Sequence, residues 1–378
     1  MSMTPTTTET LEATHTPNTA SHWRTSFAGL RAQGVRARDA ARQLGLSEGA
    51  VVAAHAVSLM SPQEAADGLL TAVALDGEWV RILQGLETVG PVMALTRNEH
   101  VVHEKIGVYR NVSAQGPIGL AVGPEIDLRL FLMNWHAGFH VVERTPKGEQ
   151  HSLQFFDRHG QAVHKVHARP GTDLQALDAL VQRHARPELH PVFSVGEHRS
   201  RPDRPDAEID ALGLGDAWAG MRDTHEFFDL LKRFNVGRLQ AMRLMEGVHT
   251  QRTPLIAVDW MLHLASRSGL PIMVFAGNHG CLQIHTGAVH RIEPMGPWIN
   301  VLDEGFNLHL RRDAIHESWL VTKPTDDGPV TSIELFDEHG DVIAMFFGER
   351  KPGRPELPAW RQLAHEVSTG EPQLEAVA

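Results

Sequence analysis

One cysteine, Cys281, is all that this 378-residue chain contains. An internal disulfide framework, a cysteine-based zinc site and covalent cofactor attachment through a C-x-x-C-H motif are therefore excluded. Tyrosine is equally scarce: Tyr109 stands alone, which leaves no second tyrosine to serve as a metal ligand. No apolar run reaches the length that spans a bilayer. The threonine-rich opening, residues 1–21, lacks the basic and apolar regions of a secretory signal. A soluble, cytoplasmic protein with a disordered tail over 1–21 is the expectation. Excess positive charge is missing too. With 46 acidic against 35 basic residues the net charge is −11, which disfavours a nucleic-acid surface. An anionic ligand would have to be held by a local basic pocket. No dinucleotide fingerprint occurs, so redox chemistry would draw on an external electron donor.

What is present begins with ordinary globular composition, 42% hydrophobic and 21% charged, over a length that suits two domains. The 24 histidines are numerous, but enrichment alone locates no site. The organising signal is self-similarity. Pro91-Val92-Met93 returns as Pro271-Ile272-Met273, Asn98 as Asn278, and Gly107 as Gly287. Leu128 and Leu130 return as Leu308 and Leu310, and Phe156-Asp157 with His159-Gly160 as Phe336-Asp337 with His339-Gly340. Every pair keeps one spacing, 180 residues, which marks a tandem duplication. The reading divides the chain into the tail 1–21, a first repeat 22–194, a polar proline-broken linker 195–210 and a second repeat 211–378.

Within each copy helices precede strands. Residues 36–54, interrupted at Gly45, and 62–86 have helical character in the first copy, as do 224–245 and 254–266 in the second. Strand-like runs follow at 92–96, 118–122, 128–132, 139–144 and 152–156. Their counterparts lie at 272–275, 282–285, 308–310, 318–322 and 332–336. The Phe-Asp-x-His-Gly segments suit hairpin turns, since Asp caps a turn and Gly accepts positive φ. The fold class expected is α+β, a duplicated unit of N-terminal helices and an antiparallel sheet.

Positions where the copies disagree carry the chemistry. Asp223-Thr224-His225-Glu226 has capping-box form, with Asp223 as N-cap and Glu226 at N3. It opens a helix whose apolar residues Phe227, Leu230, Leu231 and Phe234 share one face. His225 then sits in the first turn, where the positive helix end disfavours imidazolium and leaves a lone pair for a metal. A solvated first-turn histidine is the competing reading. With no partner at H-x-x-H spacing it makes no zinc site, but it suits one axial position of a porphyrin iron. Arg129, inside the apolar strand 128–132, either faces solvent by alternation or points a cation into a cavity; the second copy has His309 there. Arg238 opens a helical stretch after Asn235-Val236-Gly237, Lys323 precedes Pro324, and Arg350 follows Phe346-Phe347-Gly348. Taken singly, each of these three reads as a surface charge. Cys281 reads as a buried core thiol within a strand.

Together these segments resemble the HemS-type haem transport and degradation family, over most of the chain. The stretches that carry the likeness are Thr96-Arg97-Asn98, Val102-His103-Glu104, Asp127 to Leu132 and Asp223 to Arg233. In the second copy they are Gly277-Asn278-His279-Gly280-Cys281, Trp298-Ile299-Asn300-Val301, Glu317-Ser318-Trp319 and Lys323-Pro324-Thr325. The resemblance implies haem b (iron protoporphyrin IX) as cofactor, bound in a cleft between the copies. It implies His225 as the iron ligand, Arg129 on the distal side, and Arg238, Lys323 and Arg350 near the porphyrin and its propionates. Phe347 stands where some members place tyrosine, and Met345 where glutamine can occur, which removes polar contacts from one rim. The function implied is sequestration of imported haem and its transfer, with an inner-membrane importer and a haem oxygenase as partners. Haem degradation with an external electron donor is the alternative, and Arg129 would then be catalytic. Among the many other histidines, His100, His103 and His279 are examples of substitutes for His225 as ligand.

Overall fold

The computed structural model describes residues 17–196, 202–351 and 353–370. The chain opens with α1 (Pro17–Ala32), α2 (Ala37–Gln43), α3 (Glu48–Ala54), α4 (Pro62–Asp67), β1 (Leu70–Ala74), α5 (Trp79–Val89), β2 (Val92–Arg97) and β3 (Val101–Gly107). It continues through β4 (Ser113–Gln115), β5 (Ile118–Val122), β6 (Asp127–Phe131), β7 (Ala137–Thr145), β8 (Gly148–Phe156), β9 (Ala162–Ala168) and α6 (Leu174–His184). The second half begins α7 (Ala211–Ala219), α8 (Glu226–Phe234), α9 (Arg238–Leu244), β10 (Thr250–Arg252), α10 (Ala257–Ser268) and β11 (Ile272–Gly277). It ends β12 (Cys281–Gly287), β13 (Ile292–Met295), β14 (Trp298–Leu302), β15 (Phe306–Arg311), β16 (Glu317–Lys323), β17 (Val330–Phe336), β18 (Val342–Gly348) and α11 (Pro358–Thr369).

Two compact units result, and neither is one continuous stretch. The first takes the chain up to Leu95, Ile106–His198 and His279–Cys281; the second takes Thr96–Lys105, Arg199–Asn278 and the chain from Leu282 onward. A linear division does not foresee this exchange of short segments. The segment Thr96–Lys105 is held in the second unit by ladder and side chain alike. Residues Val101 to Lys105 pair antiparallel with β15, and the Asn98 amide donates to the carbonyls of Gly277 and Ile343. Asn278 donates to the Arg97 carbonyl in turn, which gives the repeated asparagine its structural reason.

The strand order within the first unit is β1-β7-β8-β9-β2, with β4, β5 and β6 as a meander. The second unit repeats it as β10-β16-β17-β18-β11, extended by β12, and carries β3-β15-β14-β13. The pairings are antiparallel, and away from the edge strands β1 and β10 they keep the same register: Phe139 faces Gln154 as Trp319 faces Glu334. Each copy also bulges at the same place, after Phe155 and after Leu335. The Asp157 and Asp337 carboxylates accept the backbone N–H groups of His159 and His339. Gly160 and Gly340 take φ of 75° and 83°, as a hairpin turn requires. The α+β class and the duplicated antiparallel architecture thus stand.

Helices cover both faces of each unit's sheet. In the first, Leu83 and Leu86 of α5 and Leu177 and Leu180 of α6 pack with Leu153, Phe155 and Val166. Phe27, Ala40, Val51 and Val52 of α1–α3 pack on Phe139, Val141 and Phe156. In the second, α10 and α11 bury Met261, Leu262 and Trp360 against Ile333 and Phe346. Trp218, Phe227, Leu230 and Met242 of α7–α9 cover Trp319 and Phe336. Each such fully buried large side chain contributes about 1.5–3 kcal/mol.

Several expectations need correction. The helical reading of 62–86 hides a break: α4 stops at Asp67, β1 forms an edge strand, and α5 starts at Trp79. Likewise 224–245 divides into α8 and α9 at Asn235, whose φ of 49° ends the first helix. Strands β3, β4, β9, β10, β13, β14 and β18 and helices α1, α6, α7 and α11 also lie outside the expected elements, and the counterpart of β5 is β14, with the same register to the next strand, where 282–285 was expected. Residues 1–16 of the expected tail and 197–201 of the expected linker lie outside the described residues, while Pro17 already starts α1. Cys281 is buried at the start of β12, as expected.

Candidate functional site

Helix α8 presents two unlike faces. Phe227 and Leu230 turn inward, with Phe227 meeting Trp218 edge-on at 4.6 Å between ring centroids. His225 and Phe228 turn outward: the imidazole is 91% exposed and Phe228 64%. Lys232, one turn on from Phe228, places its ammonium 4.2 Å from the centre of that ring.

The N-terminus of α8 differs from the expected capping box. His225, not Asp223, is the N-cap. The Asp223 carboxylate bends back into a local turn instead, where one oxygen, Oδ1, accepts both the His225 backbone N–H at 2.8 Å and its Nδ1–H at 2.6 Å. Glu226 reaches back past Asp223 and accepts the Arg222 N–H at 3.3 Å. The backbone N–H of His225 holds the Asp223 carboxyl below the usual carboxylate range, helped by the imidazole and by the charge of Arg350. In the neutral ring, with Nδ1 donating, the lone pair of His225 lies on Nε2.

Beneath α8 lies a buried ionic cluster. Glu334 of β17 is fully buried, and Arg238, the first residue of α9, grips it with Nε at 2.7 Å and Nη2 at 2.9 Å. Lys323 of β16 adds Nζ at 2.7 Å and Ser332 its hydroxyl at 3.0 Å. Both cations also lie over the Phe227 ring, Arg238 at 5.1 Å and Lys323 at 4.7 Å. Burial pushes the Lys323 ammonium down to about 8, with the Glu334 carboxylate opposing that shift. Burial would raise Glu334, but the charges of Arg238 and Lys323 outweigh it and hold the carboxyl well below its ordinary range. Two cations share one carboxylate, so the base of α8 keeps one surplus positive charge.

The expected site residues therefore fall into distinct settings. Arg238 and Lys323 come together, and Arg350 lies within electrostatic reach of Asp223 beside His225. Met345 lies 3.2 Å from Arg238 through its sulfur, and Phe347 packs edge-on against Phe275 at 4.9 Å. Arg129, on β6 of the first unit, is partly exposed and ion-paired with Asp127. The substitute histidines are otherwise engaged. His100 faces Asp337 at 3.5 Å, His279 faces Asp157 at 3.0 Å, and His103 is wholly buried against Phe306.

Sequence reasoning missed Glu334 and the outward Phe228. A signal for the first existed: at the repeat spacing Glu334 replaces Gln154, and Met345 replaces Lys165. In the first copy Lys165 instead pairs with Glu48, at the start of α3, at 2.9 Å. The ion pair between helix start and sheet thus exchanges polarity from one copy to the other. Among the described residues no group of three or more His, Cys, Asp or Glu side chains is placed to hold a metal ion. Among the same residues no helix is long and apolar enough to cross a membrane.

Comparison with known proteins agrees on one family. The family model described as the haemin-degrading HemS.ChuX domain matches twice, at residues 56–184 and 235–367. The hemin transport protein HmuS of Yersinia pestis is 42% identical over 282 residues, 74% of this chain and 81% of that protein. The crystal structure of holo-PhuS, described as a heme-binding protein from Pseudomonas aeruginosa, superposes with a TM-score of 0.86 at 44% identity, covering 93% of this chain and 99% of that one. The structure of ChuS, described as an E. coli heme oxygenase, gives a TM-score of 0.80 at 36% identity, covering 92% and 99%.

Proposed function

This chain belongs to the family of haemin-degrading HemS.ChuX domains, and from that membership we propose that it is a cytoplasmic haem carrier which binds haem b through His225. It receives haem from an inner-membrane importer and passes it to an acceptor such as a haem oxygenase. The observation that carries this reading is the state of His225: an exposed imidazole whose Nδ1 is tied to a carboxylate and whose Nε2 is left to donate. The residues around it fit the group. Haem supplies a Lewis-acidic iron, a flat apolar disc and two carboxylates. His225 offers one axial nitrogen, Phe228 an exposed aromatic face, and Lys232 and Arg350 cations for the carboxylates. The surplus charge of the Arg238–Lys323–Glu334 cluster beneath α8 favours an anionic ligand in the same place. Arg238 and Lys323 act from below, held by Glu334.

Haem degradation with an external electron donor is the second reading, favoured by the likeness to the structure described as a heme oxygenase. On that reading Arg129 supplies a charged hydrogen-bond donor to the reacting side. A ferric haemin titration followed by visible absorption, with His225→Ala in parallel, tests the shared premise. Saturable binding at one haemin per chain that His225→Ala abolishes supports it; identical binding by the two proteins overturns the ligand assignment. Adding reductant and oxygen to the loaded protein, with catalase present, then separates the readings by whether the Soret band survives.

A further inference from the structure

An exposed histidine at a helix start is ordinarily free to rotate and to exchange tautomers. His225 is not. Its ring bonds to one group among the described residues, the Oδ1 of Asp223, and the same oxygen takes the His225 backbone N–H. Ring and backbone are closed into one small hydrogen-bonded turn. Asp223 itself keeps a second oxygen for solvent, and Glu226, the other acid nearby, is turned away to the Arg222 N–H.

We infer that Asp223 is the positioning residue of the proposed iron ligand: its carboxylate fixes the Nδ1–H tautomer of His225, aims Nε2 away from the protein and raises the basicity of that nitrogen. The inference rests on the ligand reading given above. The physical reason is general to metal-bound imidazoles. A carboxylate on the far nitrogen selects the tautomer, orients the ring and increases electron donation. At a solvated site the orientation has more to contribute than in a packed pocket, because nothing else holds the ring.

Two substitutions separate geometry from charge. Asp223→Asn keeps an acceptor oxygen for both bonds but removes the negative charge. Asp223→Ala removes both. In the apo-protein, ¹⁵N resonances of the His225 ring report the tautomer with no haem present. The wild type and Asp223→Asn are expected to show Nδ1–H, and Asp223→Ala a shift toward the Nε2–H form that a free histidine side chain prefers. Ferric haemin affinity should fall about 10- to 100-fold in Asp223→Ala and less in Asp223→Asn. The iron midpoint potential should rise in Asp223→Asn, because a less basic imidazole stabilises the ferric state less. A wild-type tautomer and wild-type affinity in Asp223→Ala, in a protein whose binding is lost in His225→Ala, would overturn this inference alone. Unchanged haemin binding in His225→Ala would remove the ligand assignment, and the positioning role with it.

Discussion

Arg238 and Glu334 meet through two parallel hydrogen bonds, at 2.7 and 2.9 Å, with the carboxylate fully buried and the guanidinium at its rim. The pair joins the start of α9 to the centre of β17, and Lys323 completes it from β16. A buried carboxylate is costly unless its lone pairs are filled, and here Arg238, Lys323 and Ser332 fill them.

Glu334→Gln should therefore destabilise the second unit by about 3–5 kcal/mol, since it leaves Lys323 buried without its counter-charge. Urea unfolding measures this. The first copy is the internal control, because Gln154 occupies the same register opposite Phe139 and hydrogen-bonds Ser152 at 3.1 Å. A Glu334→Gln midpoint equal to the wild type would show that the cluster is not held by charge.

Glu334 and the buried histidines also set the acid limb of stability. His55 is lowered to about 4 and His164 and His285 to about 3, in each case chiefly by burial. Their ordinary value is 6.5, so between that pH and the lowered values the unfolded chain binds more protons than the folded one. Stability then falls as pH drops below 6.5. Glu334, lowered from 4.5, contributes stability above that pH that is lost on further acidification. Urea midpoints at pH 7, 6 and 5 should decline, mostly above the range in which carboxylates take up protons; a flat profile over that range would refute neutral burial of these histidines. Below pH 4.5 the Glu334→Gln variant should lose less with each unit than the wild type.

The duplication was legible because the same core positions recur at one spacing, and strand register follows it in the inner pairings of the two units, while the edge strands β1 and β10 differ by two residues. What escaped has physical causes. Leu70-Thr-Ala-Val-Ala74 is alanine-rich and follows a helix, so local propensity favours continuing the helix, and only pairing with β7 makes it a strand. The exchanged segment Thr96–Lys105 depends on a distant partner, β15, that no local pattern names. Glu334 sits in an alternating strand where an acid reads as solvent-facing; α8 and α9, laid over that face, bury it. His225 and Arg238 became candidates through the family resemblance, since taken singly each also reads as a solvated side chain, whereas Phe228 lies off the apolar face of Phe227, Leu230, Leu231 and Phe234 and carries no signal of its own.

Phe228→Ala tests the exposed face of α8. The side chain is largely in water, so its removal should leave the unfolding midpoint within about 0.5 kcal/mol. Loss of its stacking surface should weaken ferric haemin binding by about tenfold, or 1.4 kcal/mol. Unaltered affinity would place the haem disc elsewhere on the helix.

Arg129→Ala tests the role proposed for Arg129 in degradation. Its ion pair with Asp127 is partly exposed, a kind of pair that contributes about 0–1 kcal/mol, so Arg129→Ala should fold normally. If the chain only carries haem, the substitution alters the spin-state bands of the ferric complex, leaves affinity within a few-fold, and the Soret band persists under reductant, oxygen and catalase in both proteins. If the chain degrades haem, the band decays in the wild type and the decay slows at least tenfold in Arg129→Ala. Decay at equal rates in both would leave an enzyme whose charged donor is another residue. Because the assay uses the loaded protein and removes free peroxide, loss of the band reports chemistry at the bound haem and not bleaching in solution.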